Sequence, residues 1–226
     1  MSNLCRELHL ITRQLELHSF PFDPTLIPKN GIYILFENGE MAHDGNRIVR
    51  IGTHTGDNQL RDRLAQHFLR ENKDRSIFRK NIGRAILTRA NDPFLSDWNL
   101  DLTTSAAKNL HAARIDRPKQ ESTEQAVTTY MRAHLRFVTF EVGDKEKRLL
   151  WEARIISTVS RCDNCRPSSG WLGNFSPSKK IRESGLWQVN QLHRVPFSTG
   201  EFAEFNRAID LKSESNSLPT RRMLRA

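Results

Sequence analysis

The chain of 226 residues carries 35 lysines and arginines against 26 acidic residues, a net charge of +9, and is 37% hydrophobic and 27% charged. That length suits one decorated domain whose core needs no disulfide staples, and no apolar run is long enough to span a membrane. The excess of positive charge favours a polyanionic partner, most simply nucleic acid.

The opening stretch, MSNLCRELHLITRQLELH, is broken by charges every few residues and has no signal-peptide core. Three cysteines, Cys5, Cys162 and Cys165, make no disulfide framework, which points to a reducing cytoplasm. Leu4, Leu8, Ile11, Leu15 and Leu17 fall at roughly helical spacing and predict an amphipathic helix over 4–18. Pro21, Pro24 and Pro28 then impose an extended connector, and PKNG reads as a turn.

Ile32–Phe36 reads as a strand stopped by Asn38–Gly39, and Arg47–Ile51 as a second strand. The two are expected to pair as an antiparallel hairpin with a long polar loop. A helix over 59–71 follows, with Leu60, Leu64 and Phe68 as its buried stripe. Arg63 and His67 are four residues apart, so they lie side by side at the edge of that face.

Ile77–Leu87 predicts a helix with Arg79, Lys80 and Arg84 on its wet side. Residues 91–118 show no clear period, and 121–135 reads as helix. RFVTFEV, at Arg136–Val142, alternates as a strand should. The helix over 145–159 carries Glu152 among Leu149, Ile155, Ile156 and Val159, which puts a carboxylate inside an apolar stripe. Such a group needs compensation. A cation, a metal or hydrogen bonds can supply it, and the two readings are a buried salt bridge to an arginine and a ligand for a hard divalent cation.

Cys162-Asp-Asn-Cys165 is a CxxC pair, but no second pair or neighbouring histidine completes four zinc ligands, and Cys5 is distant in sequence. Around it, Trp171, Phe175 and Trp187 alternate with Lys179, Lys180 and Arg182, a mix suited to a phosphate-backbone groove. A short helix is expected near 201–211, then a polar, arginine-rich tail over 212–226 that is expected to be disordered. Neither a Walker phosphate loop nor a nucleophile elbow is present.

Taken in order, several of these residues resemble the GIY-YIG nuclease superfamily. GIY stands at 31–33, and Arg50-Ile51-Gly52 stands where YIG is expected. Arg63 and His67 keep the family's R-x-x-x-H spacing. Glu152 matches its metal-binding glutamate, and Asn174 in GWLGNFSP its frequent late asparagine. The resemblance covers Gly31 to about Asn174, and its one departure is Arg50 in place of the second signature tyrosine. Some restriction enzymes of the superfamily look like this variant.

The resemblance implies an α/β (α+β) domain, with a small, mostly antiparallel three-stranded sheet flanked by helices. Residues 1–27 would be the N-terminal helix and connector, 28–190 the nuclease-like domain with a helical insertion at about 73–134, and 191–226 a C-terminal helix and basic tail. It also implies a DNA endonuclease that hydrolyses phosphodiester bonds with Mg²⁺ or Mn²⁺. Glu152 would hold the metal, Arg63 would clamp the phosphate in a bidentate fork, and Tyr33 would act as, or assist, the general base. His54 and His67 would share proton handling, His54 standing in for the missing tyrosine. Arg50, Asn174 and Lys180 would contact DNA, Arg50 pointing outward. Cutting both strands calls for a homodimer or for sequential nicking, and a restriction or defence role fits a compact stand-alone nuclease. Two other classes remain: a catalytically silent DNA-binding protein on the same scaffold, and a basic adaptor with a zinc-bridged contact through Cys162 and Cys165.

Overall fold

A computed structural model describes residues 2–216. The elements run α1 (Ser2–Arg13), β1 (Gly31–Ala42), β2 (Gly45–Gly52), α2 (Leu60–Phe68), α3 (Ile77–Arg89), α4 (Leu95–Trp98), α5 (Ser105–His111), α6 (Arg117–His134), β3 (Leu135–Glu141), α7 (Lys145–Ser160), α8 (Lys179–Ser184) and α9 (Thr199–Asn216). The three strands form one antiparallel sheet in the order β2-β1-β3. An α/β domain with a small antiparallel sheet among helices is the architecture expected.

The hairpin differs from the expected one. β1 runs through Asn38–Gly39 to Ala42, and the loop is only His43 and Asp44, with φ of 51° and 63°. Both residues occupy the left-handed region that a two-residue type I′ loop requires. Asn-Gly suggests a stop because it usually makes turns. Here Gly39 takes a φ of 87° within the strand, where the pairing with β2 is irregular.

A second irregularity sets the chemistry. Leu35 pairs with Arg50, and Phe36 with Ile48, so Val49 is the extra residue of a β-bulge. Val49 packs in the layer that holds Tyr33 and Leu35. Arg50, paired with Leu35, faces the same way.

Strand alternation divides the core between the two faces of the sheet. Ile32, Ile34, Phe36, Ile48 and Ile51 meet apolar side chains of α1, α7 and α9. Tyr33, Leu35 and Val49 meet those of α2, α3 and α6. The expected stripe of Leu60, Leu64 and Phe68 is buried on the second face.

Two expectations about surfaces are overturned. Arg79 and Lys80 are buried, and Arg84 is half-buried, so these three do not form a wet side of α3. The reason is α6: its Glu124 reaches in and accepts from Arg79 Nη2 at 2.8 Å, and Thr128 accepts from the same nitrogen. Trp171 and Trp187 do not line a groove either. Both indoles are buried and donate to the carboxylate of Glu37, each at 2.9 Å. Burial of that carboxylate pushes its pKa up, against the pull of these donors, of Tyr130 and of Arg47. The expected C-terminal helix is present as α9, and it takes in 212–216 of the expected tail. Residues 217–226 lie outside the described region.

Candidate active site

The residues at the GIY and RIG ends meet because β1 and β2 pair there. Tyr33 lies opposite Gly52. A Cβ on Gly52 would fall 2.2 Å from the Tyr33 phenol oxygen, so a glycine is what lets the ring lie across the neighbouring strand. Tyr33 is only 1% exposed.

Its hydroxyl is held from two sides. His67 Nε2 lies 2.8 Å away, and Arg50 Nε donates from 3.4 Å. His67 is fully buried, and its other nitrogen, Nδ1, lies 2.7 Å from Ser76 Oγ. Ser76 is the N-cap of α3 and accepts from the Arg79 N–H at 3.2 Å. The chain Tyr33–His67–Ser76 therefore ends on a helix terminus. Burial drives the His67 pKa well below its ordinary value, and Arg50, Arg63 and Arg79 push it further down. The ring is neutral at neutral pH.

Arg50 does not point outward. Its side chain is buried, its guanidinium lies 4.6 Å from the centre of the Phe78 ring, and Nη1 donates to the Trp187 carbonyl at 2.6 Å. His67 packs edge-on against the same Phe78 ring. Arg63 is half-buried on α2 and donates to Gln66 Oε1 at 3.0 Å.

Glu152 comes from α7, in the other layer, and reaches this group past the end of β2. The Thr53 N–H donates to its Oε1 at 3.1 Å, while the Thr53 hydroxyl donates to the Gly31 carbonyl at 2.7 Å. Desolvation raises the Glu152 pKa, and Arg50, the Thr53 N–H and Arg63 pull it back in part. Glu152 is half-buried beside Trp151, Ile155 and Ile156. Among the described residues no lysine or arginine forms an ion pair with it. The Thr53 hydrogen bond and the charges of Arg50 and Arg63 thus compensate this carboxylate in part, without an ion pair among the described residues.

His54 is placed differently. Its Nδ1 lies 2.6 Å from the Gly56 carbonyl, and its Nε2 accepts from the Gly31 N–H at 3.3 Å. Both nitrogens are engaged by backbone. Burial lowers its pKa, with Arg148 adding to the effect. The Arg148 guanidinium is buried and donates to the carbonyls of His54, Val142 and Gly143. Asn174 gives its amide hydrogens to the carbonyls of Ser168 and Ser169 in its own loop. Lys180 is exposed on α8.

Sequence reasoning missed Thr53, Ser76 and Arg148. The first two had a readable signal: Thr53 follows the strand that ends in RIG, and Ser76 stands where a helix N-cap should. Arg148 had none.

The structure thus brings together a buried tyrosine–histidine pair, a buried arginine on the same hydroxyl and a carboxylate without an ion pair among the described residues. The family model described as GIY-YIG domain matches residues 12–214, and the chain belongs to that family. No curated protein and no solved structure matches it.

Proposed function

We propose that the chain is a DNA endonuclease that hydrolyses phosphodiester bonds with a divalent cation. The observation that carries this reading is the convergence of Tyr33, Arg50 and His67 on one hydroxyl, with Glu152 fixed beside them by Thr53.

The donor set suits a hard cation. Mg²⁺ and Mn²⁺ accept one carboxylate together with water and phosphate oxygens, and Glu152 is a desolvated carboxylate without an ion-pair partner among the described residues. When bound, such a cation supplies positive charge against the phosphoryl oxygens. The protein does the rest. A neutral His67 whose Nδ1–H donates a hydrogen bond to Ser76 Oγ has its Nε2 lone pair free to take the Tyr33 proton. Arg50, donating to the same phenol oxygen, sets a positive charge where the phenolate forms. Tyr33 then removes a proton from the attacking water. Arg63, on the neighbouring helix, binds the phosphate. His54 acts by pinning the loop that presents Thr53. Lys180 and Asn174 sit farther along the chain as contacts to the DNA backbone.

The test is nicking of plasmid DNA in Mg²⁺ by the wild type and by Glu152→Ala. Nicking by the wild type alone is expected. Nicking that survives in the variant refutes the role of Glu152. A wild type inert on every DNA substrate supports the silent-binder reading, which the tyrosine-to-arginine change at position 50 favours. A restriction or defence role is the biological setting we favour, and mapping the cleaved ends in a DNA library tests it.

A further inference from the structure

On the opposite face of the sheet, three segments far apart in sequence bring sulfur and nitrogen atoms together. Cys5 comes from α1, His43 from the β1–β2 loop, and Cys162 and Cys165 from the turn after α7. The Cys5 and Cys165 sulfurs are 3.5 Å apart. His43 Nε2 lies 3.4 Å from the Cys162 sulfur and 3.5 Å from that of Cys165. All three cysteines are buried and unbonded to one another.

We propose that Cys5, His43, Cys162 and Cys165 form a structural zinc site. In a tetrahedral site, bonds of about 2.3 Å to sulfur and about 2.0–2.1 Å to nitrogen set sulfurs about 3.8 Å apart and sulfur and nitrogen about 3.6 Å apart. The three separations given above fall just inside those edges, as a cage around one zinc ion requires. Thiolates and an imidazole select zinc over a hard cation such as Mg²⁺, so this cluster and the Glu152 site take different metals.

His9 is also close, since its donor atom and those of Cys5, His43 and Cys165 lie within 4.8 Å of one another. Its ring is already committed: Nδ1 pairs with the Cys5 carbonyl at 2.9 Å and Nε2 accepts from the Ile48 N–H at 3.3 Å. His43 has the opposite character. It sits at a left-handed loop position where asparagine or glycine is the usual choice, and its Nε2 faces two sulfurs. Arg13 holds the loop in place by donating to the carbonyls of Ala42, His43 and Asn46.

Binding replaces three thiol protons by one Zn²⁺, and four protein ligands leave no open position. The ion therefore ties α1, the hairpin tip and the end of α7 together. The CxxC that lacked partners in sequence finds them in the fold, within one chain, so zinc here requires no bridging partner.

Protein purified under reducing conditions from zinc-supplemented cells is expected to hold about one zinc per chain, and its cobalt-substituted form to show the thiolate charge-transfer and visible bands of a tetrahedral site. His43→Asn suits the hairpin loop, so the fold is retained while zinc affinity, read by competition with a chromophoric chelator, falls at least tenfold. Cys162→Ala falls likewise, and Tyr33→Phe leaves zinc content unchanged. A wild type without zinc or a tetrahedral cobalt spectrum, a native Cys5–Cys165 disulfide, or unchanged affinity in His43→Asn or Cys162→Ala overturns the site. None of these readouts depends on nuclease activity.

Discussion

The Tyr33 hydroxyl and His67 Nε2 lie 2.8 Å apart, one from the first strand and one from the helix after the hairpin, both buried. A phenol ordinarily ionises near pH 10, so on its own it is a poor base at neutral pH. Burial and three arginines keep the imidazole neutral, so one ring nitrogen is free to accept from the phenol.

If the two act as a unit, their losses will not multiply. Tyr33→Phe and His67→Gln are each expected to slow DNA cleavage by about 10²–10⁴-fold, and the double variant by about as much as the worse single one. Single-turnover cleavage rates check this. A double variant slowed by the product of the two single losses would show that the residues work independently.

The same burial makes stability depend on pH. An unfolded histidine takes up its proton near pH 6.5, whereas folded His67 takes it up only at much lower pH. Between those values the unfolded state binds more protons, so stability falls as pH is lowered. From pH 7.5 to 5.5 this one ring accounts for about 1.4 kcal/mol. His9, His18 and His54 are shifted the same way and add to the wild-type slope. Urea unfolding at the two pH values is expected to show a loss about 1.4 kcal/mol smaller in His67→Gln than in the wild type. Equal losses would mean that the folded ring is protonated after all.

Much of this was legible in the chain because local rules carried it. The strands alternate, the α2 stripe repeats every four residues, and GIY, RIG, Arg63 and His67 sit on adjoining elements. What was not legible depends on long-range pairing. Nothing near Arg79 foretells Glu124, 45 residues on, so a buried arginine reads as surface. The direction of Arg50 rests on a bulge at Val49, and a one-residue change of register moves a side chain to the other face. Cys5 and Cys165 are 160 residues apart, and only the crossing of α1 with the turn after α7 joins them. The tryptophans misled for a related reason: residues 171–187 look turn-rich and basic, yet their indoles bury around Glu37.

Glu152 offers a test in which activity and stability should part. Its carboxyl pKa is raised in the fold, chiefly by desolvation. The unfolded group ionises more readily, so above the folded pKa its charge opposes folding, and below the unfolded value of about 4.3 the penalty vanishes. Glu152→Gln keeps an oxygen for the Thr53 N–H and removes the charge. At pH 7 the variant is expected to be more stable than the wild type, with the gain disappearing near pH 4, while DNA cleavage is abolished. Mg²⁺ should raise the melting temperature of the wild type and leave that of the variant unmoved, because a ligand that binds only the folded state stabilises it. Thermal melts at both pH values, with and without Mg²⁺, read all of this. A variant less stable than the wild type at pH 7 would make Glu152 a structural anchor instead of a carboxylate held ready for a cation.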